Sequence, residues 1–305
     1  MAMPTLLDIA KAKGSDAEVG LIEEAIKATP EVMYIPARTI KGLSFKTLVR
    51  TSYPSAGFRS ANEGIAASVS TWENRNFECF PLNPRWECDK VVADAHEDGA
   101  PAYIAMEADG MTRAAFITMG KQLYYGAGTG GDAKGFPGLI QQHDSSMVVD
   151  AGGTTATTGS SVWAIKFGLK DVQFVFGNDG QLKVNDVAEM RVTDALGNPY
   201  TAYCQELLAW AGLQVGSIYS VGRIKKLTED SGKGLTDNLV ADLLSKFQAG
   251  VTPDALFMTR RSRLQLQKSR TATNVKGDPV PLPAESHGVP IYVTDCLLNT
   301  ESLTL

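Results

Sequence analysis

The sequence predicts an α+β fold, in which helices and strands are interleaved without a regular βαβ period. Three observations carry this. Residues 89–125 hold a long helical pattern, residues 162–227 hold a succession of alternating apolar stretches, and residues 43–80 read as two strands joined by a long tip. Of the 305 residues, 44% are hydrophobic and 21% charged, so the chain can bury a real core and is not disordered through excess charge. No internal repeat is visible at the ~20–50 residue spacing of solenoids.

Taken in order, residues 6–27 predict an amphipathic helix, with Leu7, Ala10, Leu21, Ile22, Ala25 and Ile26 at three- and four-residue steps. Pro30 and Pro36 should end helical structure there. Residues 43–51 are strand-like, with Phe45, Thr47, Val49 and Thr51 on one side and Lys46, Leu48 and Arg50 on the other. Residues 51–71 are rich in Gly, Ala and Ser, and residues 72–80 resume a strand. A two-stranded hairpin is marginal in water, so this excursion must lie along its own domain or reach a neighbouring subunit.

Within 89–125, Gly99 and Pro101 should break the helix into a short first piece and a long second piece ending near Gly126. Val92, Tyr103, Met106, Met111, Phe116 and Leu123 are its expected buried positions. Residues 126–160 read as loop. Strands follow at 162–168, 172–177, 182–187 and 213–227, with turns at Gly177–Gly180 and Leu196–Pro199. Thr236 should cap a helix through Phe247, 255–259 form a strand, Arg260–Arg270 a helix and 289–295 a last strand.

The residues that could carry chemistry do not assemble into a site. Gly126-Ala127-Gly128-Thr129-Gly130-Gly131 matches a dinucleotide-binding pattern, the basis of a nucleotide-dependent enzyme reading. The mechanism, however, needs a preceding strand and a following helix, whereas the preceding segment is helical and Gly135, Pro137 and Gly138 oppose a helix after it. His96, His143 and His287 are far apart. Cys79, Cys88, Cys204 and Cys296 form no CxxC pair and read as reduced, buried thiols. Neither Ser160-Ser161 nor Ser231-Gly232-Lys233 lies in a nucleophile elbow or P-loop. Catalytic, cofactor-binding and metal residues are therefore expected to be none.

The basic group Arg260, Arg261, Arg263, Lys268 and Arg270 reads either as a nucleic-acid or acidic-partner contact or as a solvated helix face. The net charge of −5 argues against a free nucleic-acid binder. No apolar run approaches the roughly 20 residues that cross a bilayer, and the N-terminus lacks a signal-peptide pattern. Residence in the cytoplasm, or in a particle assembled there, is the expectation.

Four strings resemble the short-chain group of tailed-bacteriophage major capsid proteins, which share the Hong Kong 97-type capsid fold. They are residues 37–68 followed by 72–94, residues 160–187, residues 210–227 with Trp210, Gly212, Leu213, Val215, Arg223 and Ile224, and residues 288–298. The resemblance implies an N-terminal arm at 1–42, an extended loop at 43–80, and a peripheral domain at 81–234 with a spine helix at about 102–125. An axial domain at 235–290 and a C-terminal strand and tail at 291–305 complete it. It implies self-assembly into pentamers and hexamers of an icosahedral head shell in the host bacterial cytoplasm. The shell would enclose double-stranded DNA, with a portal, a separate scaffolding protein and a decoration protein as partners. Tyr53, Phe58, Arg59, Glu63, Trp72 and Arg75 become candidate inter-subunit contacts, and Gly126, Gly128 and Gly130 candidate hinges. Some relatives weld subunits through a lysine in the extended loop. Residues 51–71 contain none, so no such crosslink is expected. An encapsulin-like compartment shell is the alternative on the same fold.

Overall fold

A computed structural model describes residues 27–181, 183–270 and 281–304; the helix expected over 6–27 lies outside them but for its last residue. The described chain opens with helix α1 (Pro30–Tyr34). Pro30 begins this helix rather than ending one, because proline's fixed φ suits a first helical turn, where no N–H partner is needed. Strand β1 (Ala37–Thr39) follows Pro36.

Strands β2 (Ser44–Ser52) and β3 (Thr71–Glu78) form a separate two-stranded antiparallel sheet, pairing Ser44 with Glu78 through to Ser52 with Thr71. The expected alternation holds: Phe45, Thr47 and Val49 are half-buried, while Lys46, Leu48 and Arg50 are exposed. Strands β4 (Phe80–Leu82) and β5 (Arg85–Asp89) lead to helix α2 (Lys90–Asp94), capped by the Asp89 carboxylate on the Val91 N–H.

The spine helix α3 runs from Ala100 to Tyr125. Gly99, at φ +81°, and Pro101 in the first turn set its start, and Gly126, at φ +51°, its end. Val92, Tyr103, Met111 and Leu123 are buried as expected, but Met106 and Phe116 are exposed.

The remaining elements are helix α4 (Leu139–Gln142), strands β6 (Val148–Asp150), β7 (Ser160–Ile165), β8 (Val172–Phe176), β9 (Lys183–Val184), β10 (Ala188–Thr193), β11 (Pro199–Val215) and β12 (Val221–Leu227), helix α5 (Asp237–Ser245), strand β13 (Ala255–Met258), helix α6 (Arg260–Ser269), and strands β14 (Glu285–Ser286) and β15 (Val289–Val293). Segment 126–160 therefore holds a one-turn helix and a short strand where loop was expected. The single strand expected over 213–227 is two, divided at Gly216, where a side chain would collide with the Lys170 carbonyl. Strand β10 and the Pro199–Gly212 part of β11 were not anticipated.

Two larger sheets carry the molecule. In the first, β11 is the common member: the order is β1–β8–β11–β10, and β4, β5 and β9 also pair with β11. The second runs β14–β15–β13–β7–β12–β6. It takes β6, β7 and β12 from before residue 234 and β13–β15 from after it, so no sheet boundary falls at that residue. Strand β7 is buried along its whole length, as a central strand covered on both faces must be.

The C-terminal half of α3 packs Met119, Leu123, Tyr124 and Tyr125 into a core with Trp163, Phe174, Leu213 and Phe257. A second core joins Ile224, Leu227, Val240, Leu243, Leu256 and Leu266 under α5 and α6. The N-terminal half of α3 covers a third, with Trp86, Cys88, Tyr103, Met111, Leu207 and Ala209.

Candidate functional site

The hairpin β2–β3 is tied to the body at its root. The Cys79 N–H donates to the Leu43 carbonyl (2.8 Å), Phe77 is buried with Phe45 at 5.3 Å between ring centroids, and Arg38 stacks on Phe45 at 4.9 Å. Arg75 donates to the Gly216 carbonyl at 3.1 Å and sits 3.8 Å from Glu73. Of the six candidate contact residues, Arg75 is thus the one engaged with its own body, because it shares the inward side of the hairpin with Phe45 and Phe77.

Beyond the root the hairpin is exposed on its other side. There Arg50 lies directly opposite Trp72 in the strand register. Its guanidinium stacks 4.2 Å from the Trp72 ring and 5.2 Å from the Tyr53 ring. This cation–π cluster stands beside exposed Leu48. Arg50 and Leu48 were not among the sequence candidates, although the expected alternation already placed both on the side opposite Phe45.

Residues 53–70 form no strand or helix, and nearly all are exposed. Serine and threonine pairs cross their base: Thr51 to Thr71 (2.7 Å), Ser52 to Thr71 (2.7 Å) and the Ser55 N–H to Ser68 Oγ (2.7 Å). At the far end, Arg59 donates to the Glu63 carbonyl (2.9 Å) and the Glu63 N–H to the Ser60 carbonyl (3.2 Å). The structure therefore brings Arg59 and Glu63 together in one turn. Phe58 beside them is fully exposed, as is most of Val69. Burying such side chains stabilises by about 1.5–3 kcal/mol each, and among the described residues the tip makes no such burial.

The glycine segment after α3 is closely packed. Gly126 donates to the Gln122 carbonyl (3.0 Å), Gly128 to Tyr125 (2.8 Å) and Gly131 to Gly128 (3.1 Å). The Gln122 amide donates to the Asp132 and Phe136 carbonyls (2.9 and 2.7 Å), and the Gln141 amide to the Tyr125 carbonyl (2.8 Å). A side chain at Gly126 would overlap Gln141 and Gly138, and one at Gly131 would overlap the Gly126 carbonyl. Bending at Gly126 or Gly128 has to break these bonds; Gly130 packs against Tyr125 and Leu298. A helix precedes the segment, not the strand that dinucleotide binding needs.

The other candidates are absorbed into structure. Arg261 donates to the Thr158 and Leu227 carbonyls, Arg263 to the Pro283 carbonyl and Arg270 to Asp237, which leaves Arg260 and Lys268 as the exposed members of the basic group. All four cysteines are free and buried, and burial raises the Cys88 thiol to about 11. Ser161 donates to Glu301 at 2.6 Å within a buried network, where Arg223 lies 3.3 Å from the same carboxylate and Tyr125 donates to it at 2.6 Å. Among the described residues, no group of three or more His, Cys, Asp or Glu is placed to hold a metal, and no helix is long and apolar enough to cross a membrane.

The family model described as major capsid protein GP7 matches residues 16–304. A search of curated proteins found no match. Among solved structures, a chain of bacteriophage Epsilon15 is 18% identical, with a TM-score of 0.68 over 99% of this chain and 98% of that one. The capsid of Myoviridae phage XM1 aligns at 11% identity and a TM-score of 0.48 over 72% and 98% of the two chains. The SrpI encapsulin complex from Synechococcus elongatus aligns at 7% and 0.47 over 73% and 95%. The Epsilon15 likeness shows the fold, the Hong Kong 97-type fold that the sequence strings had suggested.

Proposed function

The chain belongs to the major capsid protein GP7 family, a structural protein of the phage head shell and not an enzyme, and from that membership we propose how it builds the shell. The arm at 43–80 lies across an adjacent subunit. There Tyr53, Phe58, Arg59, Glu63 and Trp72 meet the neighbour, while Arg75 holds the root. Copies join as pentamers and hexamers around an icosahedral head that encloses double-stranded DNA. Assembly takes place in the host bacterial cytoplasm, with a scaffolding protein, a portal and a decoration protein as partners.

The observation that carries this reading is the hairpin itself. Two strands alone are marginal in water, and the outward side of this pair presents Leu48 and Trp72 to solvent, as the tip beyond it does Tyr53 and Phe58. A neighbour that buries them supplies what the monomer lacks; obligate interfaces commonly bury about 2,000 Å² or more. The compartment-shell and nucleotide-dependent readings give way to the family match.

Within this reading 1–42 acts as the N-terminal arm, 81–234 as the peripheral domain, 235–290 as most of the axial domain and 291–305 as the returning strand and tail. Gly126, Gly128 and Gly130 are proposed as hinges only where a change in capsomer angle is strong enough to open the bonds that close this turn. The net charge of −5 suits a lumen that does not grip the genome.

Deletion of residues 54–68 tests the proposal. The shortened chain is expected to stay soluble and to give no closed shells by negative-stain microscopy when co-expressed with its scaffolding protein. Normal particles from that chain would remove the arm from assembly.

A further inference from the structure

We propose that a cavity on the outer face of the β10–β11 hairpin receives the Phe58–Arg59 tip of another copy's arm, an inference that rests on the arm reaching a neighbour.

The cavity follows from strand alternation. Tyr203 and Leu207 of β11 face the spine-helix side with Trp86 and Cys88, and Gln205 accepts there from the Trp86 indole N–H while also bordering the cavity. Ala202, Cys204 and Glu206 therefore face the other way. On that outer side the register sets Ala188 beside Cys204 and Met190 beside Ala202. An apolar strip results, and Met190 on it is 48% exposed. Ala188, Met190 and Cys204 form the apolar part of a cavity of about 150 Å³ whose other lining residues are polar or charged. A space on the order of 150 Å³ has room for a benzene ring, the size of a phenylalanine side chain's end.

Its rim is acidic. Asp186 and Glu206 line it against one cation, Arg85, which is held by Glu87 at 2.9 Å. The matching occupant is an apolar ring with a positive charge next to it. The arm tip offers that pair: Phe58 is fully exposed, and the adjacent Arg59 is fixed in the tip turn through the Glu63 carbonyl. Phe58 would fill the apolar floor, and Arg59 would face Asp186 and Glu206. Charge complementarity of this kind sets register between copies.

The test places the photoreactive residue benzoylphenylalanine at position 58 of the full chain. Assembled shells are irradiated, and adducts are mapped by mass spectrometry after gel separation of single from joined chains. Adducts between copies at residues 185–206 are expected. Adducts between copies that fall elsewhere overturn the docking site while leaving the arm's reach standing. Adducts confined to single chains overturn both. Should the bulky residue block assembly, charge reversal decides. Arg59→Glu should raise the concentration needed for assembly about tenfold, and Glu206→Arg in the same chain should restore it; no restoration overturns the inference.

Discussion

Glu31 shows how much the molecule asks of single side chains. It is fully buried where α1, the spine helix and the C-terminal segment meet, against Gly120, Thr294 and Cys296. Thr294 donates to one carboxyl oxygen at 3.1 Å, and the other has no hydrogen-bond partner among the described residues. Burial, aided by nearby Asp295, raises this carboxyl above its ordinary 4.5, so the folded chain holds the proton more tightly than the unfolded chain does. The stabilisation is complete below pH 4.5 and is lost as pH rises through the raised value. Tyr124 and Cys296, which also face Glu31, have raised values and stay neutral over that range. Glu31→Gln should therefore flatten the fall in stability above pH 4.5, read by denaturant unfolding of the dispersed subunit. Parallel pH profiles for the two chains would contradict this. Nothing in the sequence marked Glu31, or the Arg223–Glu301 pair, as buried. Glu301 meets Tyr125, Ser161 and Arg223 only through the fold, from segments far apart in the chain.

At the scale of elements, legibility followed local signals. The spine helix was readable because Gly99, Pro101 and Gly126 punctuate it, and its end depends on Gly126 in particular. That residue takes φ +51° and ψ −126°, a conformation closed to other residues, and any side chain there meets Gln141 and Gly138. Gly126→Ala should cost about 1–3 kcal/mol from backbone strain alone. It should cost more from the displaced Gln141, lowering the denaturation midpoint of the subunit; an unchanged midpoint would show that the turn is slack. Strand β10 escaped notice for a different reason. Ala188, Met190 and Val192 do alternate, but Glu189 and Arg191 between them and the weak strand preference of alanine made the segment read as polar loop. Its turn at Leu196–Pro199 was nonetheless legible, held by Asp194 accepting from the Leu196 and Asn198 N–H groups. The basic group on α6 could be read two ways because helix spacing alone does not tell a free arginine from one that donates to backbone carbonyls.

For the whole molecule, the α+β class and the two-stranded arm were legible, since both rest on local periodicity. The grouping of strands into sheets was not. Strand β11 collects partners from Ala37 to Thr193 directly or through β8, and the second sheet joins β6 to β15 across half the chain. The central claim is that the arm gains its order from another copy. Hydrogen–deuterium exchange of the amides in residues 44–52 and 71–78 tests it most directly, comparing dispersed subunits with assembled shells. Exchange should be fast in the subunit and slowed by roughly a hundredfold or more in the shell. Equally slow exchange in both would mean that the arm is stable on its own body and needs no neighbour.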